Sequence, residues 1–209
     1  MRRTWIAGLE ERGWAELPRD AQCRAAPWVD DCLRALGATR IAGQVNVATD
    51  AGSARPNTLS SRHGRGAFPL HTDCAASDDP PRYVLLSSTV ARPAATLVLD
   101  TRGRDGPLAD GRNALFRVAD GRRCHYARFR EGRPSGALVR YNAATHLALN
   151  EAAAEIEASV AVSAREATRI DWTRTRAVVI DNWACLHGRE RIDVAERGRM
   201  RRFLVWTRS

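Results

Sequence analysis

A succession of short extended segments, each closed off by turn residues, limits this chain more than any other feature of its sequence. Phe68 to Asp73, Tyr83 to Val90 and Ala95 to Thr101 predict strands, as do the shorter Ala114 to Val118, Cys124 to Phe129 and Gly136 to Tyr141. Breaks at Asp78 to Pro81, Gly103 to Gly106 and Asp120-Gly121 separate them. A strand over Ile41 to Thr49 precedes this series, and strands over Arg176 to Trp183 and Arg201 to Thr207 follow it. Two helices stand among them. Pro27 to Leu36 places Val29, Cys32, Leu33 and Leu36 at helical spacing, with Pro27 in the first turn and Gly37 as the stop. Ala148 to Val162 is rich in Ala, Leu, Glu and Ile. A parallel α/β fold needs a helix between most strands, so this pattern argues instead for a closed sheet or a double-sheet jelly roll.

The 209 residues suit one domain over 1–209, because no linker, repeat or low-complexity stretch offers a place to divide the chain. Residues 1–40 are expected to form a helical N-terminal extension packed on the core. No apolar run approaches the roughly 20 residues of a membrane span. Glu10 and Glu11 interrupt the basic N-terminus before a signal-like apolar stretch can form. The five cysteines are odd in number and contain no CxxC pair, which points to a reduced, cytoplasmic setting. Cys74 and Cys185 are expected to be buried as small apolar groups.

The net charge of +9 raises the question of a nucleic-acid partner. All 33 basic residues are Arg, but they are scattered through separate segments. No zinc-finger spacing, helix-turn-helix pattern or aromatic-basic RNA motif accompanies them, so a nucleic-acid-binding β-barrel is the alternative and not the leading reading. No GxGxxG or GxxxxGK element is present.

The sharpest local signal is FPLHTD. His71 and Asp73 are two residues apart, and on an extended strand such residues face the same side. A neutral ligand from a distant strand would complete a facial set with open positions on one divalent ion. His187, at the end of RAVVIDNWACLHGR, is the best candidate. His63, His125 and His146 are the alternatives, with His63 in a Gly- and Arg-rich loop and His146 expected to open a helix. Iron(II) suits such a set because, unlike zinc, it passes electrons to oxygen.

Several local texts together resemble the iron(II)/2-oxoglutarate-dependent dioxygenases of the taurine-dioxygenase and clavaminate-synthase-like kind. LHTD at Leu70 to Asp73 is similar to their first metal motif. PAATLVLD at Pro93 to Asp100 resembles their GGxTxFxD strand, with Pro93 and Ala94 in place of the glycines and Val98 in place of the Phe. IDNWACLHGR resembles their DNxRxLHGR block, with Ala184 in place of the first Arg, and Arg140-Tyr141-Asn142 resembles the strand before their long helix. The likeness runs from about Gln44 to Trp206. It implies a double-stranded β-helix, the cupin-like jelly roll, mainly β with flanking helices.

The resemblance also implies cofactors and roles. Iron(II) would sit on His71, Asp73 and His187, with 2-oxoglutarate as co-substrate and O2 as oxidant. The far carboxylate of 2-oxoglutarate needs a buried guanidinium from the strand after His187, which Arg201 or Arg202 would supply. These two face opposite sides, and Arg202 is favoured because it shares a face with Leu204 and Trp206. Thr96 would add a hydroxyl to the same carboxylate. Asn182 would fix the geometry of the His187 strand. Gln44, Asn46, Arg62 and Arg189 correspond to the substrate region, and the loop Asp50 to Gly66 would cover it. The expected reaction is hydroxylation of an unactivated C–H bond in a small amino acid or amino-acid-derived metabolite, free or carrier-bound, in a biosynthetic pathway. Desaturation or cyclisation by the same iron chemistry and a noncatalytic binding role are the alternatives. The carboxylate at Asp73 argues against halogenation, since relatives that halogenate leave room for chloride there.

Overall fold

In a computed structural model of the chain, residues 2–19, 25–47, 59–102, 105–120, 123–193 and 199–208 are described. The chain opens with α1 (Arg2–Arg12), β1 (Trp14–Pro18), α2 (Ala25–Ala35), β2 (Ala38–Val47) and α3 (Leu59–His63). It continues through β3 (Phe68–His71), β4 (Tyr83–Ser88), β5 (Thr96–Asp100), β6 (Leu115–Asp120) and β7 (Arg123–Arg128). Next come β8 (Arg130–Arg133), β9 (Gly136–Val139), β10 (His146–Ala148) and α4 (Glu151–Ser163). It closes with β11 (Thr168–Ile170), β12 (Thr175–Asp181), β13 (Cys185–Arg189) and β14 (Arg199–Thr207).

Two antiparallel sheets face one another. The five-stranded sheet has the order β1-β12-β4-β14-β2, and the four-stranded sheet the order β11-β5-β13-β3. Strand alternation explains why both stay dry inside. Val84 and Leu86 of β4, Val178 and Ile180 of β12, and Leu204 of β14 meet Val98 and Ile170 of the smaller sheet. Their sequence neighbours Leu85, Ala177, Val179 and Val205 face outward, where Trp5 and Leu9 of α1 and Trp28, Val29 and Cys32 of α2 cover them. On the other side, Leu99 and Leu186 leave the smaller sheet outward and pack under Phe116, Val118, Ile156 and Val160. Those residues belong to the β10-β6-β7 sheet and to α4, which Asn150 caps by accepting from the Ala153 N–H at 3.0 Å. This is the double-sheet jelly roll with flanking helices that the strand pattern predicts.

Four differences from expectation matter. The first forty residues are not wholly helical, since β1 forms an edge of the larger sheet against β12. His146 lies in β10, and the long helix starts only at Glu151. The strand expected to run from Arg176 through Trp183 stops at Asp181, and a turn carries the chain from the larger sheet to the smaller. Cys74 is exposed, with a left-handed φ of 57°, whereas Cys185 is buried as expected. Much of the expected loop Asp50 to Gly66 lies outside the described residues, and α3 occupies part of the remainder. Among the described residues, no helix is long and apolar enough to cross a membrane.

Candidate metal centre

β3 and β13 are antiparallel neighbours, and their register sets His71 directly opposite His187. Both side chains point between the sheets, with ring centroids 4.6 Å apart. Asp73 follows just past the end of β3. Its Oδ1 is 3.7 Å from His71 Nε2, and its Oδ2 is 3.5 Å from His187 Nε2. Candidate ligand atoms of the three buried residues all lie within 4.8 Å of one another, the only such group among the described residues. Gly188 is what allows β13 so close to β3, because a Cβ there would lie 2.7 Å from the Phe68 carbonyl oxygen.

The protonation states suit a divalent ion. His71 Nδ1 lies 2.9 Å from the Pro69 carbonyl, and a proton held there leaves the Nε2 lone pair facing Asp73. Burial lowers the pKa of His187, and although Asp73 pulls the other way the imidazole stays toward its neutral, ligating form. Burial alone would raise the pKa of Asp73. The charge of the Arg202 guanidinium outweighs it and holds the carboxyl well below its ordinary range. Two imidazole nitrogens and one carboxylate therefore converge, a donor set that fits iron(II) and leaves coordination positions open.

The segment carrying His71 and Asp73 is gripped from both sides. The Thr72 hydroxyl donates to the Val139 carbonyl at 3.0 Å, and its N–H donates to Tyr141 O at 2.8 Å. Asn182 Oδ1 accepts from the Asp73 N–H at 2.8 Å, while its Nδ2 donates to the carbonyls of Asp73 and Pro81 at 3.2 and 2.9 Å. Asn182 thus ties the turn that leads into β13 to the Asp73 backbone. Arg140, itself buried, donates to the Ala75 and Ser77 carbonyls and fixes the turn that follows.

The other expected residues divide clearly. Arg202 lines the cavity beside the triad, with Nη1 2.8 and 3.2 Å from the two Asp73 oxygens. Arg201 is exposed and lies outside the cavity lining, because it shares the helix-covered face of β14 with Phe203 and Val205. Thr96 lines the cavity and accepts a hydrogen bond from Trp172 Nε1 at 3.0 Å. Arg189 also lines it, but its Nη2 donates to the Gly64 and Gly66 carbonyls at 2.9 and 2.8 Å, and its guanidinium stacks over Phe68 at 4.0 Å. Arg62 is exposed on α3 and does not line the cavity, whereas Ser60 of the same helix does. Gln44 and Asn46 pair in register with Arg202 and Met200, but their side chains lie outside the described residues. Asn142 and Thr145 enter the lining unanticipated, although the Arg140-Tyr141-Asn142 motif pointed to their segment.

The cavity has a volume of about 330 Å³, with Leu86 and Met200 on its apolar side. Clefts of about 570 and 620 Å³ lie elsewhere on the surface, but they bring no metal-ligand set together.

Fold and site together define a jelly-roll protein with an open two-histidine, one-carboxylate centre. Its solved structural neighbours are iron- and 2-oxoglutarate-dependent oxygenases. Asparagine oxygenase, solved with Fe(II), 2S,3S-3-hydroxyasparagine and succinate, matches at a TM-score of 0.72 and 16% identity over 99% of this chain and 79% of its own. PvcB from Pseudomonas aeruginosa matches at 0.63 and 17% identity over 99% and 80%. AAD-2, solved with Mn(II) and N-oxalylglycine, matches at 0.67 and 14% identity over 99% and 89%. No family model matches the chain, and no curated protein matches it by sequence. At these identities the likeness is one of fold.

Proposed function

We propose that this chain is an iron(II)- and 2-oxoglutarate-dependent oxygenase that hydroxylates an unactivated C–H bond of a small amino acid or an amino-acid-derived metabolite. The convergence of His71, Asp73 and His187 within 4.8 Å, on the inner face of the smaller sheet, carries this reading. Iron(II) with 2-oxoglutarate and oxygen supplies oxidative decarboxylation to succinate and the power to break such a bond. The chain's own residues do the rest. His71 and His187 offer neutral nitrogens, and Asp73 offers the single negative charge. Arg202 turns from Asp73 to receive the far carboxylate of the co-substrate, and Thr96 donates to the same group. Leu86 and Met200 keep water from one wall. Arg189 latches the segment at Gly64 and Gly66 beside the site.

A cavity of about 330 Å³ that holds both reactants leaves room only for a small substrate, or for the end of a carrier-bound one. Gln44 and Asn46 are the proposed substrate contacts, because β2 runs beside the β14 segment that bears Met200 and Arg202. That asparagine oxygenase was solved with a hydroxylated amino acid and succinate supports the substrate class.

The test is spectroscopic. Iron(II) and 2-oxoglutarate added without oxygen should produce a visible metal-to-ligand charge-transfer band that is lost in His71→Ala and His187→Ala. Succinate release then reports on an amino-acid screen. Bound iron with no band at saturating 2-oxoglutarate would exclude this co-substrate.

A further inference from the structure

We infer that Trp172 is a positioning residue whose indole N–H fixes the Thr96 hydroxyl as a donor into the cavity, so that this wall accepts an anion. The inference rests on the function proposed above and extends it to a residue outside the cavity lining.

An indole nitrogen can only donate. Trp172 is fully buried, and its Nε1 lies 3.0 Å from Thr96 Oγ1. A hydroxyl has one proton and two lone pairs. With one lone pair taken by the indole, the Thr96 proton must point elsewhere, and it meets no acceptor among the described residues. Thr96 stands at the cavity wall, so the remaining direction is inward. The arrangement is built by the fold. The three-residue strand β11 pairs with β5, setting Ile170 opposite Thr96, and Trp172 follows two residues later. It is buried in the same apolar cluster as Val98, Ile170 and Ile180. A hydroxyl free to turn would meet a water, an amine or a carboxylate equally well. One held in the donor sense favours an acceptor, and with Arg202 in the same cavity it favours the far carboxylate of a 2-oxo diacid.

The experiment uses the full chain, loaded with iron(II) without oxygen and titrated with 2-oxoglutarate through the charge-transfer band. Trp172→Phe keeps a ring and removes the N–H. It should weaken 2-oxoglutarate binding about 3- to 10-fold, the range of a lost hydrogen bond between neutral groups. It should leave kcat at saturating co-substrate within about twofold and leave 2-oxopentanoate, which lacks the far carboxylate, unaffected. Thr96→Val should weaken 2-oxoglutarate at least as much, and the double variant should equal Thr96→Val alone. Equal losses from Trp172→Phe with and without Thr96, or equal losses for both keto acids, would reduce Trp172 to packing and overturn the inference. Should Trp172→Phe fail to fold, the zinc-loaded wild type decides. The Trp172 indole N–H resonance should shift with 2-oxoglutarate and not with 2-oxopentanoate, and the same response to both would overturn the inference. A wild-type chain that holds iron but gives no band removes the proposed function and this inference with it. A normal wild-type band with an unchanged Trp172→Phe constant removes the inference alone.

Discussion

The space between the two sheets has two ends, and the same strands build both. At one end Trp14, Val98, Trp172, Ile180, Cys185 and Leu204 pack together. At the other, Thr96, His187 and Arg202 line the cavity. The step from one end to the other is two residues along one face of a strand: Val98 to Thr96 on β5, Cys185 to His187 on β13, Leu204 to Arg202 on β14. Along each of these three strands polarity therefore changes within two residues of one face. The apolar end is stable through close packing. The polar end keeps desolvated groups with incomplete partners, His187 Nδ1 among them, and so gives up stability for binding.

The largest effects should break the two ends apart. His187→Ala should lower iron affinity by more than about 100-fold, beyond the range for groups that only support a ligand, while the metal-free chain loses little stability. Ile180→Ala should do the reverse, costing about 2 to 5 kcal/mol of stability with iron affinity nearly unchanged. Metal titration and denaturant unfolding of both variants measure this crossed outcome, and parallel losses in both would show that the ends are not separable. Asn182→Ala should fall between, lowering iron affinity about 10- to 100-fold by loosening Asp73. Next comes the pair on β14. Arg202→Gln should raise the 2-oxoglutarate KM about tenfold or more, while Arg201→Gln stays within about twofold. Matching effects at the two positions would contradict their placement on opposite faces.

A separate effect concerns a buried imidazole outside both ends. Burial, then the charges of Arg140 and His125, push His146 down to about 3 from an ordinary 6.5. The unfolded chain takes up this proton below about 6.5, and the folded chain does not until about 3. Stability is therefore complete above that window and falls by about 1.4 kcal/mol per pH unit through it. Denaturant midpoints from pH 7 to 4.5 should show this component of the slope, and His146→Phe should remove it.

Much of this was legible in the sequence. Clear turn residues separate the central strands, so their existence could be read off. The i, i+2 rule put His71 and Asp73 on one side, and the same rule favoured Arg202, which shares its face with Leu204 and Trp206 and now lines the cavity. Elements too short for periodicity were not legible. β1 follows α1 with only Gly13 between them, and β10 and β11 have three residues each. The turn after Asp181 was hidden because apolar residues continue across it. Partnerships far apart along the chain were equally hidden. Asn182 holds Asp73 from 109 residues away, a distance over which no local pattern speaks. Ser60, Asn142 and Thr145 lie outside the central strands, where the alternation that exposed the ligands does not apply.

Both edges of the larger sheet join the beginning of the chain to its end. β1 pairs with residues 175–180, and β2 pairs with residues 199–207. During synthesis β1 and β2 therefore lack these sheet partners until residues 175–207 have been made. Closing loops of that length is entropically slow, so folding should be a late, all-at-once event rather than a progressive one. The metal-ligand set is subject to the same delay, because β13, which carries His187, is made long after β3. Iron can meet a complete site only once β13 has paired with β3.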